Sequence, residues 1–383
     1  METTEIRHLL HQHPELSGCE KNTHDLIVKE LTQLHPLKIY THVGSTPQHE
    51  AYGVIAVFGQ DLSAPAIAFR ADIDALPIQE QNSLPYRSVN QNIGHKCGHD
   101  GHTAILLELA QHLHACRNTV ILIFQPEEET GLGSKKILQS GILKQYDIRA
   151  IYAIHNLPGY PLNQLVLIPN TFAAASSGFI IHLHGRQTHA STPEKGINPA
   201  LAISQLIQRF DTFNHVNIND IKSFSQSTPI YIRCGSEAFG TSAGEASLAF
   251  TLRAYTNETM EWLLQTARSI TNEVAQNQQL KVDIELREPF YATENNLQQV
   301  VRIQHLAHSL HLSIHQEERP FRWSEDFADY LMVYPGAMMG IGSGEDHVEL
   351  HHPDYDFPDQ IIRPTAQLFL EIANAFNPQE QNN

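Results

Sequence analysis

"GHTAILLELAQHLHAC", residues 101–116, decides the fold. Its apolar residues Ile105, Leu106, Leu109 and Leu113 recur at helical spacing. The stretch lies between two aliphatic runs, "AIAFRADID" (66–74) and "TVILIFQ" (119–125), each the length of a buried strand. Strand, helix, strand in that order predicts a βαβ unit and places the chain in the α/β class. "YGVIAVFG" (52–59) and "AIYAIHN" (150–156) read as further strands. Residues 1–34 read as helix, broken at His13-Pro14-Glu15.

Around residue 173 the character changes. "NTFAAASSG" is a run of small residues that suits a hinge. "FIIHLHG" (179–185) then alternates apolar and polar like a half-buried strand. "NPALAISQLIQRF" (198–210) reads as helix, "ASLAFTLRAY" (246–255) as strand, "ETMEWLLQTARSITNEVAQN" (258–277) as helix and "LKVDIELRE" (280–288) as strand. This pattern can close into a small α+β domain of its own. The expected organisation is therefore a larger α/β domain over 1–173 and 288–383, interrupted by an inserted α+β domain over 174–287. The 383-residue length fits two cores better than one. After the insert, helices and short strands return, and the chain ends in the polar tail "NPQEQNN".

Bulk composition excludes some partners. The chain has 25 basic and 42 acidic residues, a net charge of −17 with His neutral. Nucleic acid and anionic membranes attract basic surfaces, so neither is expected as a partner. The N-terminus lacks a basic start followed by an apolar core, and aliphatic runs such as "VILIF" are too short to span a bilayer. Four scattered cysteines without a CxxC pattern fit reduced thiols. A cytoplasmic protein is the expectation.

Four clusters can carry chemistry. "GHKCGHDGHTA" (94–104) packs His95, Cys97, His99, Asp100 and His102 together. In an extended segment Cys97 and His99 point the same way, and a thiolate with an imidazole suits Zn²⁺ and related ions. In a chain with 24 histidines, a chance surface loop fits this stretch equally well. "FQPEEE" (124–129) follows a strand, where α/β sites collect, yet it also fits a solvated acidic turn. "AIHNLPGYP" brings His155, and "HVELHHPDYDF" brings His347, His351 and His352. Together they offer N, O and S donors for a pair of divalent ions and a carboxylate base beside them.

These motifs, with "HQHPELSGCE" (11–20), "RADIDALPIQE" (70–80), "THASTPEKGINPA" (188–200) and "SEDFADY" (324–330), resemble the M20 metallopeptidase family. The similarity is to its amidohydrolase branch of hippurate hydrolases, N-acyl-amino-acid deacylases and auxin-conjugate hydrolases. It runs nearly end to end. The resemblance implies a zinc-peptidase-like catalytic domain with two divalent ions (Zn, Mn, Co or Ni) and an inserted dimerisation, or lid, domain. Cys97 would bridge the ions, and His99, Glu129, His155 and His351 would complete the ligands. Glu128 would be the general base and Glu127 an outer carboxylate. Asp74, helped by Asp72, would support a ligand from behind. His189 of the inserted domain would stabilise the oxyanion, often from a partner subunit, which implies a homodimer. Arg253 fits a strand-end arginine of the substrate pocket, but the Asn-Pro run that usually precedes it is absent from "FGTSAGEASLAFTLRAY" (239–255). The implied activity is metal-dependent cleavage of a small amide, an N-acyl amino acid foremost. Dipeptidase or carboxypeptidase action and a non-catalytic member of the fold are the alternatives. His8, His11, His24, His35, His42, His49, His112 and His114 are expected at the surface, and His95 as a bystander.

Overall fold

The structure is a computed structural model that describes residues 1–214 and 221–376, so the tail over 377–383 lies outside the described residues. The chain forms two compact units. The first comprises Met1–Phe172, Glu294–Glu318 and Asp326–Asn383; the second comprises Ala173–Thr293 and Arg319–Glu325.

The first unit is built on an eight-stranded sheet. In spatial order its strands are Lys38–Val43, Gly53–Phe58, Thr119–Gln125, Ala66–Asp72, Ile148–Pro158, Gly336–Gly344, Leu165–Leu167 and Ile314–Gln316. The four from Thr119–Gln125 to Gly336–Gly344 run parallel to one another, so their carboxyl ends open on one edge. The helix expected within residues 101–116 spans His99–His112 and joins two of these strands. Every residue from His99 to Ala110 is buried, because the helices Thr3–Gln12 and Ile362–Asn374 pack against it as well as the sheet. Phe69, Leu106, Leu109, Phe124 and Phe369 belong to the core beneath.

The N-terminal helix breaks where Pro14 requires, giving Thr3–Gln12 and then Lys21–Gln33. His11 and His24 are buried rather than at the surface. On the first helix Ile6, Arg7, Leu10 and His11 share the buried face, and carboxylates from other segments neutralise the two polar members.

The second unit is a four-stranded antiparallel sheet in the order Lys281–Phe290, Ala175–His184, Glu245–Ala254, Ser225–Cys234. The helices Ala200–Asp211 and Asn257–Asn277 pack on it, and Phe179, Ile181, Leu183, Leu206, Phe210, Leu248 and Leu263 form its core. Alternation along Ala175–His184 is therefore half-buried, as its sequence reads. The boundary between the two units falls within the small-residue run, after Phe172, and Ala175, Ser176 and Ser177 are already paired in the sheet. The strand Ser225–Cys234 has no counterpart in the sequence reading. Pro229 interrupts it, and its residues from Thr228 to Cys234 are exposed, so no inside–outside alternation marks it.

Candidate metal centre

The carboxyl ends of the four parallel strands bring distant segments together. Asp72 ends one strand; Gln125 ends the next and leads into Pro126-Glu127-Glu128-Glu129; His155 lies near the end of the third; His351 follows the fourth. This is where ligands collect in open parallel sheets. Cys97 and His99 also converge here, though not through an extended segment. Gly98 between them takes φ 94° and caps the His99–His112 helix. A Cβ at Gly98 would lie 2.4 Å from Asn156 Oδ1, so only glycine fits.

Among the groups of candidate ligand atoms that lie within 4.8 Å of one another, two contain Cys97: Cys97, His99, His155, and Cys97, Glu129, His351. Cys97 belongs to both. His99 Nδ1 lies 3.2 Å from Asp74 Oδ1, so a neutral ring that keeps its proton there would turn a bare Nε2 to a cation. His155 Nδ1 donates to Asn156 O at 2.8 Å, which leaves its Nε2 facing Cys97 Sγ at 3.5 Å. Glu129 Oε1 lies 3.9 Å from His99 Nε2 and 3.7 Å from His351 Nε2. Both His99 Nε2 and Glu129 Oε1 are buried without a hydrogen-bond partner among the described residues. Buried polar atoms are normally satisfied. Ligand atoms about 2 Å from a common ion sit roughly 3.3 Å apart in tetrahedral geometry, close to these spacings. The donor set fits a divalent cation.

The electrostatics point the same way. Burial pushes the Cys97 thiol well above its ordinary value, and Glu129 adds to the rise. Burial also raises Glu129, with Asp74 adding to the rise and the His99 charge opposing it. His155 is pushed well down by burial and by His102, so it presents a neutral ring. Burial also lowers His351, helped by the His99 charge. Burial opposes a charge on His99, but Asp72, Cys97 and Asp74 overcome it and raise its pKa. A cation at this point would supply the charge that otherwise falls on the His99 ring.

The other expected residues lie as follows. Glu128 is buried beside His99 and Glu129 in a third donor group, and its Oε1 accepts the Asp326 N–H at 3.4 Å. Asp72 Oδ1 contacts His102 Nδ1 at 2.6 Å, and Asp72 Oδ2 is 3.8 Å from His99 Nε2. His102 Nε2 meets Asn156 Oδ1 at 2.7 Å, so both of its nitrogens are engaged. His189 and Arg253 belong to the second unit. His189 is exposed on the short strand Thr188–His189, where the Ser191 N–H donates to Nδ1 at 3.1 Å and the ring proton therefore sits on Nε2. Arg253 donates to Arg322 O at 2.6 Å and Ser324 Oγ at 3.1 Å.

Sequence reasoning missed a buried ionic network behind Cys97. His11 Nδ1 meets Asp100 Oδ2 and His11 Nε2 meets Glu80 Oε1, both at 2.8 Å. Lys96 Nζ reaches Glu80 at 2.7 Å, and Lys96 O accepts the His351 N–H at 2.7 Å. His95 is buried as well, with both ring nitrogens unpartnered among the described residues. The signal was Arg7 and His11 sharing a helix face with Ile6 and Leu10.

The family profile described as "Peptidase family M20/M25/M40" matches residues 68–375. The chain belongs to this family. M20/M25/M40 membership makes it a hydrolase of amide C–N bonds. An N-acetyl-L-cysteine deacetylase of Bacillus subtilis (strain 168) is 32% identical over 378 residues, covering 96% of this M20 chain and 86% of that protein. A hippurate hydrolase of Campylobacter jejuni is 30% identical over 377 residues, covering 97% and 96%. The crystal structure of the YXEP protein of Bacillus subtilis, a dinuclear metal-binding peptidase of the M20 family, has a TM-score of 0.82 at 27% identity, covering 97% of this chain and 96% of that one. Among the described residues, no helix is long and apolar enough to cross a membrane.

Proposed function

We propose that this M20 member removes the acyl group from small N-acyl amino acids, and that Cys97, His99, Glu129, His155 and His351 hold two divalent ions, zinc or manganese foremost, with cobalt and nickel also suited. The observation that carries the reading is the pair of donor groups sharing Cys97. Relatives active on N-acetyl-L-cysteine and on hippurate support the substrate class. When bound, the cations supply positive charge that polarises the amide carbonyl and makes water more acidic.

The chain's own residues do the rest. Asp74 orients the His99 ring, and Asp72 lends it negative charge from the side. Glu128 takes the proton of the attacking water and passes it to the leaving nitrogen. His189 offers its Nε2 proton to the carbonyl oxygen as negative charge develops there. Arg253 binds the substrate near its carboxylate. The protein works as a homodimer through the second unit. Its outer strand supports this: Ile230, Tyr231 and Ile232 are 63%, 50% and 47% exposed on a sheet edge that is unpaired among the described residues. Four free cysteines, two of them exposed, support a reducing, cytoplasmic location.

The test is a panel of N-acetyl and N-benzoyl amino acids and dipeptides, with Zn²⁺, Mn²⁺ or Co²⁺ added, alongside metal analysis of protein purified without chelator. The N-acyl amino acids should be cleaved, and Glu128→Gln should lower kcat by at least about 100-fold. Cleavage of dipeptides alone would move the substrate class to peptides. An unimpaired Glu128→Gln, or protein without metal, would sink the mechanism.

A further inference from the structure

The motif "HQHPELSGCE" carries neither an expected ligand nor the base, yet its last residue reaches into the centre. We infer that Glu20 is a positioning residue for the Glu127–Glu129 turn, and through it for Glu128 and Glu129.

Glu127 has φ 56°, in the left-handed region that side chains avoid. Such a conformation persists only where its surroundings over-determine it. Here its consequence is functional. Extended neighbours point to opposite sides, but Glu128 and Glu129, in the turn that follows, both approach His99. Most contacts that hold Glu127 are local, from Thr130, Leu132 and the helix Gly133–Gln139 that follows. Its carbonyl accepts from Thr130 Oγ1 at 3.1 Å, Gly133 N at 3.2 Å and Leu132 N at 3.3 Å, and its carboxylate pairs with Lys136. Glu20 comes from 107 residues away, and its Oε1 accepts the buried Glu127 N–H at 2.9 Å. A second tie runs through Asp74, whose Oδ2 accepts both Ser17 Oγ at 2.7 Å and Glu129 N at 3.1 Å. The segment from Ser17 to Glu20 thus grips the turn at both ends.

The chemistry of Glu20 suits a neutral arm. It is fully buried, and Oε2 has no partner among the described residues. Burial, with Asp74 adding to it, pushes its pKa up to about 8. A proton on Glu20 spares the centre one more negative charge beside Asp74, Glu127, Glu128 and Glu129. Glutamine copies that neutral form and keeps the oxygen that accepts from Glu127.

The experiment compares wild type with Glu20→Gln, Glu20→Ala and Glu20→Asp. Metal-free protein is titrated with Mn²⁺ alone, and free Mn²⁺ is read by electron paramagnetic resonance. In parallel, kcat and KM are measured on an N-acetyl amino acid. Removing the arm (Ala) or shortening it (Asp) should weaken Mn²⁺ binding about 10-fold or more. It should also lower kcat about 10- to 100-fold, with KM within about 3-fold of wild type. Glu20→Gln should stay within about 3-fold of wild type in all three quantities. Wild-type affinity and kcat in Glu20→Ala, or losses in Glu20→Gln as deep as in Glu20→Ala, overturn the inference. If Glu20→Ala does not fold, Glu20→Asp decides by the same criteria. The kinetic arm rests on the proposed deacylase reading, whereas the Mn²⁺ arm does not. Wild type that binds Mn²⁺ but cleaves no substrate would sink that reading and leave the titration to judge Glu20.

Discussion

At the scale of single residues, burial sets the charge of this centre, and Glu20 makes that measurable. Its pKa is about 8 in the folded chain against an ordinary 4.5. Between those values the folded state holds a proton that the unfolded state has lost. Stability from this group is therefore fully present below about pH 4.5 and is lost as pH rises through about 8. One pKa unit is about 1.4 kcal/mol, so wild type should lose about 3 kcal/mol relative to Glu20→Gln between pH 5 and pH 8. Urea unfolding of metal-free protein at the two pH values reads the difference. A constant gap between the two proteins would mean that Glu20 is ionised throughout. Residues of this kind were hard to see in the sequence. Cys97, His99, Glu129, His155 and His351 are legible through the motifs that resemble the M20 family, not through any one motif alone, and the structure brings all five to one place. Arg7, His11 and Glu20 did not stand out, because charged residues on or beside helices are usually solvated. Only tertiary contacts with Asp100, Glu80 and Glu127 explain their burial.

At the scale of elements, the loop-to-helix junction at Cys97-Gly98-His99 is a tightly constrained piece of backbone. Gly98 at φ 94° places the thiol and the imidazole on one point, and Asn156 closes the space where a side chain would go. Asn156 cannot readily yield, since its Oδ1 meets His102 and its Nδ2 donates to the Tyr355 hydroxyl. Gly98→Ala should therefore cost about 2–4 kcal/mol by denaturant unfolding, combining left-handed strain with the displaced Asn156. It should weaken Mn²⁺ binding in the same protein. A variant as stable as wild type would mean that Asn156 moves freely. Elements were legible where burial follows a period. The strands at 66–72 and 119–125 and the helix between them announce themselves, because both faces of those strands are buried. The strand Gly336–Gly344 does not, because four of its nine residues are glycine. The structure gives a reason at Gly340: a Cβ there would lie 2.1 Å from Leu157 Cδ1 on the adjacent strand. Close packing replaced the apolar signal by which a strand is usually recognised.

At the scale of the whole molecule, the second unit carries an exposed strand edge and His189, and the proposed dimer joins the two. Ile232→Lys combined with Tyr231→Lys should halve the mass from that of a dimer to the 43.1 kDa of one chain, as read by light scattering. Hydrolysis measured on the same sample then locates the imidazole. Activity lost with the dimer means that His189 serves the neighbouring chain, and activity kept by a monomer means that it serves its own. A double variant that remains a dimer would remove this strand from the interface.

The order of strands in the first unit has a consequence for the chain as it is made. Ile148–Pro158 and Leu165–Leu167 do not pair with each other; Gly336–Gly344 lies between them. A nascent chain that has emerged only as far as Phe172 already contains both flanking strands, Cys97, His99, Glu129 and His155. It still lacks the strand that fills the gap and His351 behind it. Until more than 160 further residues have left the ribosome, two apolar strand edges stay open and one donor group stays incomplete. Premature termination within the second unit should therefore yield an aggregating fragment, not a weakly active enzyme.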